Sequence, residues 1–112
     1  MSDVLEKIVT TPMPLSFDDE KLTATWGGSI RWDEVAALHA SKYDAIEREA
    51  VILTFDYPYG EFIEVNVDDD GFPALRERLR DYLPLPNDWY EQIESLSVTE
   101  GITFFANRVA DR

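Results

Sequence analysis

The alternation of apolar and polar residues predicts antiparallel strands in the first half of the chain. Residues 21–26 (KLTATW) alternate with a period of two, which is typical of a half-buried strand. The adjacent Gly27 and Gly28 predict a hairpin turn. Residues 29–32 (SIRW) then return to the extended pattern, so the first strands are expected to form a hairpin.

The strongest alternation lies in the middle of the chain. Residues 50–57 (AVILTFDY) and 61–67 (EFIEVNV) each alternate between two faces, and their β-branched and aromatic residues favour strands. A Pro-Tyr-Gly turn at residues 58–60 joins them. We therefore predict a second antiparallel hairpin here.

Residues 33–42 (DEVAALHASK) allow two interpretations. Their alanines and leucine favour a helix by intrinsic propensity. The same residues also alternate with the period of a strand. The pattern alone leaves the choice between helix and strand open.

Two helices are predicted in the second half of the chain. Residues 72–83 repeat apolar side chains at helical spacing, and Pro84 and Pro86 end that helix. Asp88 and Glu91 have the spacing of a capping box, which predicts the start of a second helix. The apolar face of this second helix is expected to consist of Trp89, Ile93 and Leu96.

A last alternating segment, residues 101–107 (GITFFAN), predicts a closing strand. The chain contains neither an internal repeat nor a linker, so we predict a single domain over residues 1–112. The predicted fold class is α+β, with an antiparallel sheet and two helices packed on it.

The composition is that of a folded protein rather than a disordered one. The chain has 112 residues, of which 45% are hydrophobic, and it contains no cysteine. Disulfides and thiolate metal sites are therefore excluded. The N-terminal residues lack the pattern of a signal peptide, and no run of about 18 apolar residues could span a membrane. We expect a soluble, cytoplasmic protein.

The net charge is the most informative bulk property. Ten Lys and Arg against 23 Asp and Glu give a formal charge of −13. A surface of this sign repels nucleic acid and anionic lipid headgroups, so neither is an expected partner. It favours encounter with a basic protein. The oligomeric state is not indicated by the pattern.

One acidic stretch, NVDDDGFPALRE at residues 66–77, matches the spacing of an EF-hand calcium loop. Its context argues against that reading. The first position is Asn66 rather than Asp, Pro73 interrupts the loop, a predicted strand precedes it, and there is no second loop. We interpret the stretch as a strand–turn–helix corner and predict no metal site.

Catalytic motifs are missing from the sequence. His39 is the only histidine, and we interpret it as a strand or surface residue. There is no Gly-x-Ser-x-Gly motif and no glycine-rich phosphate loop. With 23 acids in 112 residues, carboxylates close to one another are expected by chance. We therefore predict that the protein is not an enzyme and uses no cofactor.

The order of several short motifs resembles a known group of proteins. The motifs are IRWDEV (30–35), KYD (42–44), LTF (53–55), IEVN (63–66), GFPAL (71–75) and LPNDW (85–89). This order resembles small uncharacterised bacterial proteins with a pleckstrin-homology-like fold, over roughly residues 28–108. The resemblance implies that residues 33–42 are a bent strand and that the sheet is strongly bent or a partial barrel. The size and acidity also resemble, more loosely, immunity proteins of bacterial toxin systems.

These observations lead to a functional hypothesis. The protein is expected to be a non-catalytic immunity protein that neutralises a basic nuclease or deaminase toxin by occluding its active site. The alternative is a calcium-responsive or generic interaction module on the same fold. Phosphoinositide binding is disfavoured, because it requires clustered basic residues. The predicted partner-binding residues are Asp56, Tyr57, Tyr59, Glu61, Glu64, Asp68, Asp69 and Asp70.

Overall fold

The structure is a computed structural model that describes residues 15–25, 28–44 and 49–108. It is α+β, with two antiparallel sheets and two α-helices. The strands are β1 (Ser16–Phe17), β2 (Lys21–Thr23), β3 (Ser29–Arg31), β4 (Ala37–Asp44), β5 (Glu49–Asp56), β6 (Phe62–Asn66) and β7 (Gly101–Phe105). The helices are α1 (Phe72–Tyr82) and α2 (Trp89–Glu94), with a 3-10 turn at Trp32–Glu34. No described helix is long and apolar enough to cross a membrane.

The first sheet has three short strands in the order β1-β2-β3. Leu22 pairs with Ile30, and both side chains are fully buried. The Asp18 carboxylate accepts the backbone N–H groups of Glu20 and of Lys21, the first residue of β2, at 2.8 and 2.9 Å, and these bonds lower the pKa of Asp18. The predicted strand over 21–26 ends at Thr23, and residue 26 of that strand and residue 27 of the predicted turn lie outside the described residues.

The second sheet has four strands in the order β6-β5-β4-β7. The predicted hairpin of β5 and β6 is confirmed, with Leu53 opposite Val65 and Phe55 opposite Ile63. These four side chains lie in the core because residues two apart share one face of a strand. The N–H of Tyr57 donates to the carbonyl of Glu61 at 2.8 Å and closes the turn.

The ambiguous segment 33–42 forms a 3-10 turn and then most of β4. This strand lies between β5 and β7, so both of its edges are paired. A paired central strand satisfies its backbone groups on both sides and buries Leu38 and Ala40. Helix propensities differ by less than about 1 kcal/mol per residue, so this sheet context prevails. The strand interpretation is confirmed from Ala37 onwards.

Helix α1 follows the prediction closely. It begins at Phe72 with a proline in its first turn and buries Leu75 and Leu79. Helix α2 buries Trp89 and Ile93, but it ends at Glu94, so Leu96 lies beyond it.

The capping box predicted for α2 is not formed. Asp88 is the N-cap residue, but its side chain makes no capping bond. Its ψ angle is 24°, whereas a side chain reaches the first-turn N–H groups from an extended backbone. The carboxylate instead accepts the side-chain amide of Gln92 at 2.9 Å. The expectation of a capping box with Glu91 was therefore wrong.

One hydrophobic core joins both sheets and both helices. Trp32, in the 3-10 turn between the sheets, is a buried member of this core. Its ring stacks on Tyr82 of α1 at 4.6 Å and meets Phe55 of β5 edge-on at 6.5 Å. Its Nε1–H donates to the carbonyl of Asp18 at 2.8 Å. The largest fully buried side chains are Phe55, Leu22, Ile30, Leu38, Leu53, Leu75, Leu79, Ile93, Val35 and Val65.

The closing strand β7 ends at Phe105, two residues before the predicted end. Its pairing with β4 shifts register between Leu38 and His39. Beyond the strand, the guanidinium of Arg108 donates to the carbonyls of Trp32 and Val35 at 3.0 and 3.1 Å. The end of the described chain is thereby tied to the centre of the fold.

The corner between β6 and α1 depends on Gly71. This residue has a φ of 91°, a backbone conformation that side chains with a Cβ rarely adopt. A Cβ added here would also lie 2.5 Å from the carbonyl oxygen of Leu15. Only glycine therefore fits between the turn and the chain that enters β1.

We predict that Gly71→Ala lowers the free energy of unfolding by at least about 3 kcal/mol, because positive φ alone costs about 1–2 kcal/mol and the clash adds to it. Gly60→Ala is the matched control. Gly60 has a φ of 99° but no atom within 4 Å of an added Cβ, so only the conformational cost applies. Urea unfolding measures both variants. Equal losses for the two would show that the Leu15 carbonyl exerts no constraint.

Candidate binding surface

The hairpin of β5 and β6 belongs to a long segment of the chain without Lys or Arg. Residues 49–75 contain no Lys and no Arg. The acids of the same segment are Glu49, Asp56, Glu61, Glu64, Asp68, Asp69 and Asp70. The hairpin and the corner that follows it therefore concentrate the negative charge of the molecule.

Part of this charge lies on the outer face of the four-stranded sheet. Asp56 of β5 pairs with Phe62 of β6, and Thr54 pairs with Glu64. Asp56 and Glu64 are thus diagonal neighbours on the face opposite the core. Phe62 lies between them on this face with 56% of its surface exposed. An exposed aromatic ring is therefore flanked by two carboxylates.

Asp56 is held in place by His39. The Nε2 atom of His39 is 2.9 Å from Asp56 Oδ2, and its Nδ1 atom is 2.8 Å from Thr103 Oγ1. The three side chains come from β5, β4 and β7 and link these strands across the outer face. His39 was correctly interpreted as a strand residue, but its two partners were missed. The signal was absent from the sequence because these contacts depend on the register of β4 against β5 and β7.

A hydroxyl, an imidazole and a carboxylate in this order also occur in serine hydrolases. Acyl transfer additionally needs donors aimed at a developing oxyanion in a site that excludes water. Here the His39 and Asp56 side chains are 37% and 34% exposed on an open sheet face. We therefore assign the chain of contacts the role of orienting the Asp56 carboxylate.

The geometry predicts the tautomer of His39. A carboxylate accepts but does not donate, so neutral His39 must carry its proton on Nε2, and Nδ1 then accepts the Thr103 hydroxyl. Nitrogen-15 NMR of the imidazole ring is expected to show the Nε2–H tautomer. Asp56→Ala, with Thr54→Ala as the control on the same strand, is expected to weaken this preference. A predominant Nδ1–H tautomer in the unaltered protein would contradict the contact with Asp56.

The tip of the hairpin combines two aromatic rings with acids. Tyr57 is half-buried against the core, and its hydroxyl donates to the carbonyl of Ser29. Tyr59 is 67% exposed, and its ring stacks on Tyr57 with centroids 5.2 Å apart. Burial raises the pKa of Tyr57, with further contributions from Glu34, Tyr59 and Glu61. The structure thus assigns Tyr57 to packing and presents Tyr59 to solvent.

Glu34 was not among the predicted residues. It lies in the 3-10 turn before β4, and its electrostatic effect on Tyr57 places it near the tip. Its sequence position, more than twenty residues before the tip, carried no signal of this proximity.

We predict that Tyr57→Phe destabilises the protein by about 1 kcal/mol at pH 7, because the Ser29 carbonyl loses its donor. Tyr59→Phe is the control, since the exposed ring keeps its stacking.

The raised pKa of Tyr57 stabilises the fold below the ordinary tyrosine pKa of about 10, and this contribution is lost as the pH rises through the folded-state value. Stability measured by urea unfolding should therefore fall less steeply above pH 10 in Tyr57→Phe. An unchanged alkaline slope would count against this assignment.

The aspartates at residues 68–70 form a hydrogen-bonded turn. The side-chain oxygen of Asn66 accepts the N–H of Asp68 at 2.8 Å, and the Asp69 carboxylate accepts the N–H of Asn66 at 3.0 Å. With β6 ending at Asn66 and α1 beginning at Phe72, the strand–turn–helix interpretation is confirmed. The described residues contain no group of three or more His, Cys, Asp or Glu placed to hold a metal ion.

The predicted binding residues fall into two separate surfaces. Tyr57, Tyr59 and Glu61 lie at the turn that begins β6, with Asp56 and Glu64 on the adjoining face. Asp68 to Asp70 follow the opposite end of β6. At about 3.3 Å per residue, Asp68 is about 23 Å along the chain from Glu61 at the tip and about 13 Å from Glu64. We name the first set, together with Phe62, the hairpin surface.

A shallow groove of about 420 Å³ lies beside the aspartate turn. The guanidinium of Arg76 is 3.6 Å from the centre of the Tyr90 ring within this groove. The cation is thus engaged with an aromatic face. The groove is lined by Val67, Phe72, Pro73, Arg76, Glu77 and Tyr90.

Comparison of the chain with models of known protein families, with curated proteins and with solved structures found no match. Functional inference therefore depends on the site itself.

Proposed function

We propose that this chain is a non-catalytic binding protein for a basic protein partner and that it binds through the hairpin surface. The supporting observation is a cation-free hairpin on which two exposed rings, Tyr59 and Phe62, stand among acids. Aromatic side chains are enriched at the energetic centres of protein interfaces, and charged residues are common at their rims. The hairpin surface has both components.

The two components have different physical roles. Burying Tyr59 and Phe62 against a partner removes apolar surface from water and provides affinity. The carboxylates of Asp56, Glu61 and Glu64 raise the rate of encounter with a cationic protein, and this effect weakens as salt is added. The formal charge of −13 adds a long-range contribution of the same sign.

The partner class that we propose is a basic bacterial toxin of the nuclease or deaminase type, which makes this chain an immunity protein. Such toxins bind polyanionic substrates, so an acidic surface with exposed rings can occupy the same site and block it without chemistry. The resemblance to immunity proteins in size and acidity supports this proposal. A cytoplasmic location, where such a toxin would act, and a pleckstrin-homology-like, strongly bent sheet or partial barrel belong to the same proposal.

The test measures binding to, and inhibition of, a basic toxin domain encoded beside this gene. Glu61→Gln with Glu64→Gln removes two charges from the hairpin surface. Glu91→Gln with Glu94→Gln removes two exposed charges from α2 and is the matched control. We expect the double variant of the hairpin surface to bind the toxin domain about tenfold or more weakly at low salt. The double variant of α2 is expected to lose less than about threefold, because charges close to the partner affect its affinity more than the net charge of the chain does.

A second pair of variants tests the aromatic component. Tyr59→Ala with Phe62→Ala is expected to weaken binding at both 50 mM and 300 mM salt, because apolar burial is not screened. Absence of a complex at low salt would refute the proposed function. Equal losses for the hairpin pair and the α2 pair would refute the location of the site.

A further inference from the structure

Strand β6 forms one edge of the four-stranded sheet. It pairs with β5 on one side and, among the described residues, with no strand on the other. An edge strand presents a row of unpaired backbone groups that can accept a further strand. Some backbone N–H and C=O groups of β6 therefore face away from β5 and are available to a binding partner.

The register identifies the open groups. The Tyr57–Glu61 and Val67–Val51 hydrogen bonds flank the β5–β6 ladder. Hydrogen-bonded pairs alternate along an antiparallel ladder, so Ile63 and Val65 bond to β5. Phe62, Glu64 and Asn66 therefore direct their N–H and C=O groups away from β5.

One end of this edge is already satisfied. The N–H of Asn66 donates to the Asp69 carboxylate at 3.0 Å, so the aspartate turn closes the edge there. Within the part of the chain that the structure describes, the N–H groups of Phe62 and Glu64 have no bonding partner. These two residues define what we name the open edge.

Within the described residues, β6 lacks the common devices that protect a sheet edge. Natural edge strands are protected by lysines, prolines or bulges. Strand β6 (FIEVN) contains neither lysine nor proline, and its pairing with β5 is regular over five residues. The other edge strand, β7, pairs with β4 through a register shift. The open edge therefore has the regular backbone that strand addition requires.

We propose that the open edge accepts an extended basic segment of the partner as an added fifth strand. This inference rests on the proposed function and names the way in which the partner binds. Backbone hydrogen bonds to Phe62 and Glu64 provide pairing, and Lys or Arg side chains of the added strand lie opposite Glu64. Phe62 shares the outer face with Glu64, so it packs against the aliphatic stems of these cationic side chains, while the apolar side chains that alternate with them lie on the face of Ile63 and Val65.

The negative charge around the open edge favours an extended basic segment over a second copy of this chain. Pairing of two β6 strands would bring two cation-free, acidic hairpins together, and like charges opposite each other destabilise a sheet. An extended basic segment supplies the opposite charge at the same positions. The charge complementarity and the open backbone thus favour one partner chemistry.

The first experiment uses a synthetic probe. A ten-residue peptide of alternating Lys and Val is compared with the same peptide N-methylated at four consecutive central residues. N-methylation preserves charge and side chains but removes the N–H donors on both edges of the peptide. Since each net hydrogen bond changes binding by about 2- to 12-fold, we expect the methylated peptide to bind at least tenfold more weakly. The parent peptide is also expected to slow hydrogen exchange at the amides of Phe62 and Glu64.

The second experiment changes the protein. Glu64→Pro removes an outward N–H that makes no bond to β5, whereas Glu64→Gln removes the charge and keeps the N–H. We expect Glu64→Pro to bind the parent peptide at least about threefold more weakly than Glu64→Gln does. If Glu64→Pro fails to fold, the parent and N-methylated peptides are compared on Glu64→Gln, and that comparison still tests strand addition.

The outcomes separate this inference from the proposed function. If both peptides bind equally at low salt, strand addition is overturned while binding of a basic partner stands. If neither peptide binds, the open edge is overturned, and the proposed function is then judged on the toxin domain. Equal binding of a Glu–Val peptide would overturn the charge selection. Binding only after removal of residues 1–14 would show that the chain covers its own edge, which also overturns the inference.

Discussion

The packing of Trp32 is the interaction on which the rest of this structure depends. The residue follows β3 directly and precedes β4, so it lies at the junction of the two sheets. Its ring contacts both Tyr82 of α1 and Phe55 of β5, and its Nε1–H bonds to the Asp18 carbonyl. A buried tryptophan that also satisfies its polar atom contributes a large apolar area at little polar cost. This one side chain therefore joins the small sheet, the large sheet and the first helix into one core.

The same junction positions the hairpin surface. Because the core holds the small sheet against the hairpin, the carbonyl of Ser29 in β3 accepts the hydroxyl of Tyr57. Tyr57 in turn stacks on the exposed Tyr59. On the outer face, His39 and Thr103 hold the carboxylate of Asp56 beside Phe62. A binding surface built on paired strands with side chains held in this way loses little conformational entropy when a partner binds.

Several elements could be predicted from local pattern alone, and others could not. The β5–β6 hairpin and α1 were predicted correctly because strong periodicity and adjacent turn residues agree there. The strand β4 was ambiguous, since alanine favours a helix and only pairing on both sides decides for a strand. The capping box at Asp88 was wrong because a side chain at the right spacing cannot cap from a backbone with the wrong ψ angle. The aspartates at 68–70 were grouped with the hairpin tip, although the length of β6 separates them.

The sequence by itself determined the class of elements, the cation-free stretch from 49 to 75 and the formal net charge of −13. These properties depend on composition and on residues close together in the chain. The tertiary structure alone decided that Asp56 meets His39 and Thr103, that Glu34 lies near Tyr57, and that β6 is an edge. The physical reason is that these relations follow from strand order and register, which the burial of one shared core selects from many locally equivalent pairings.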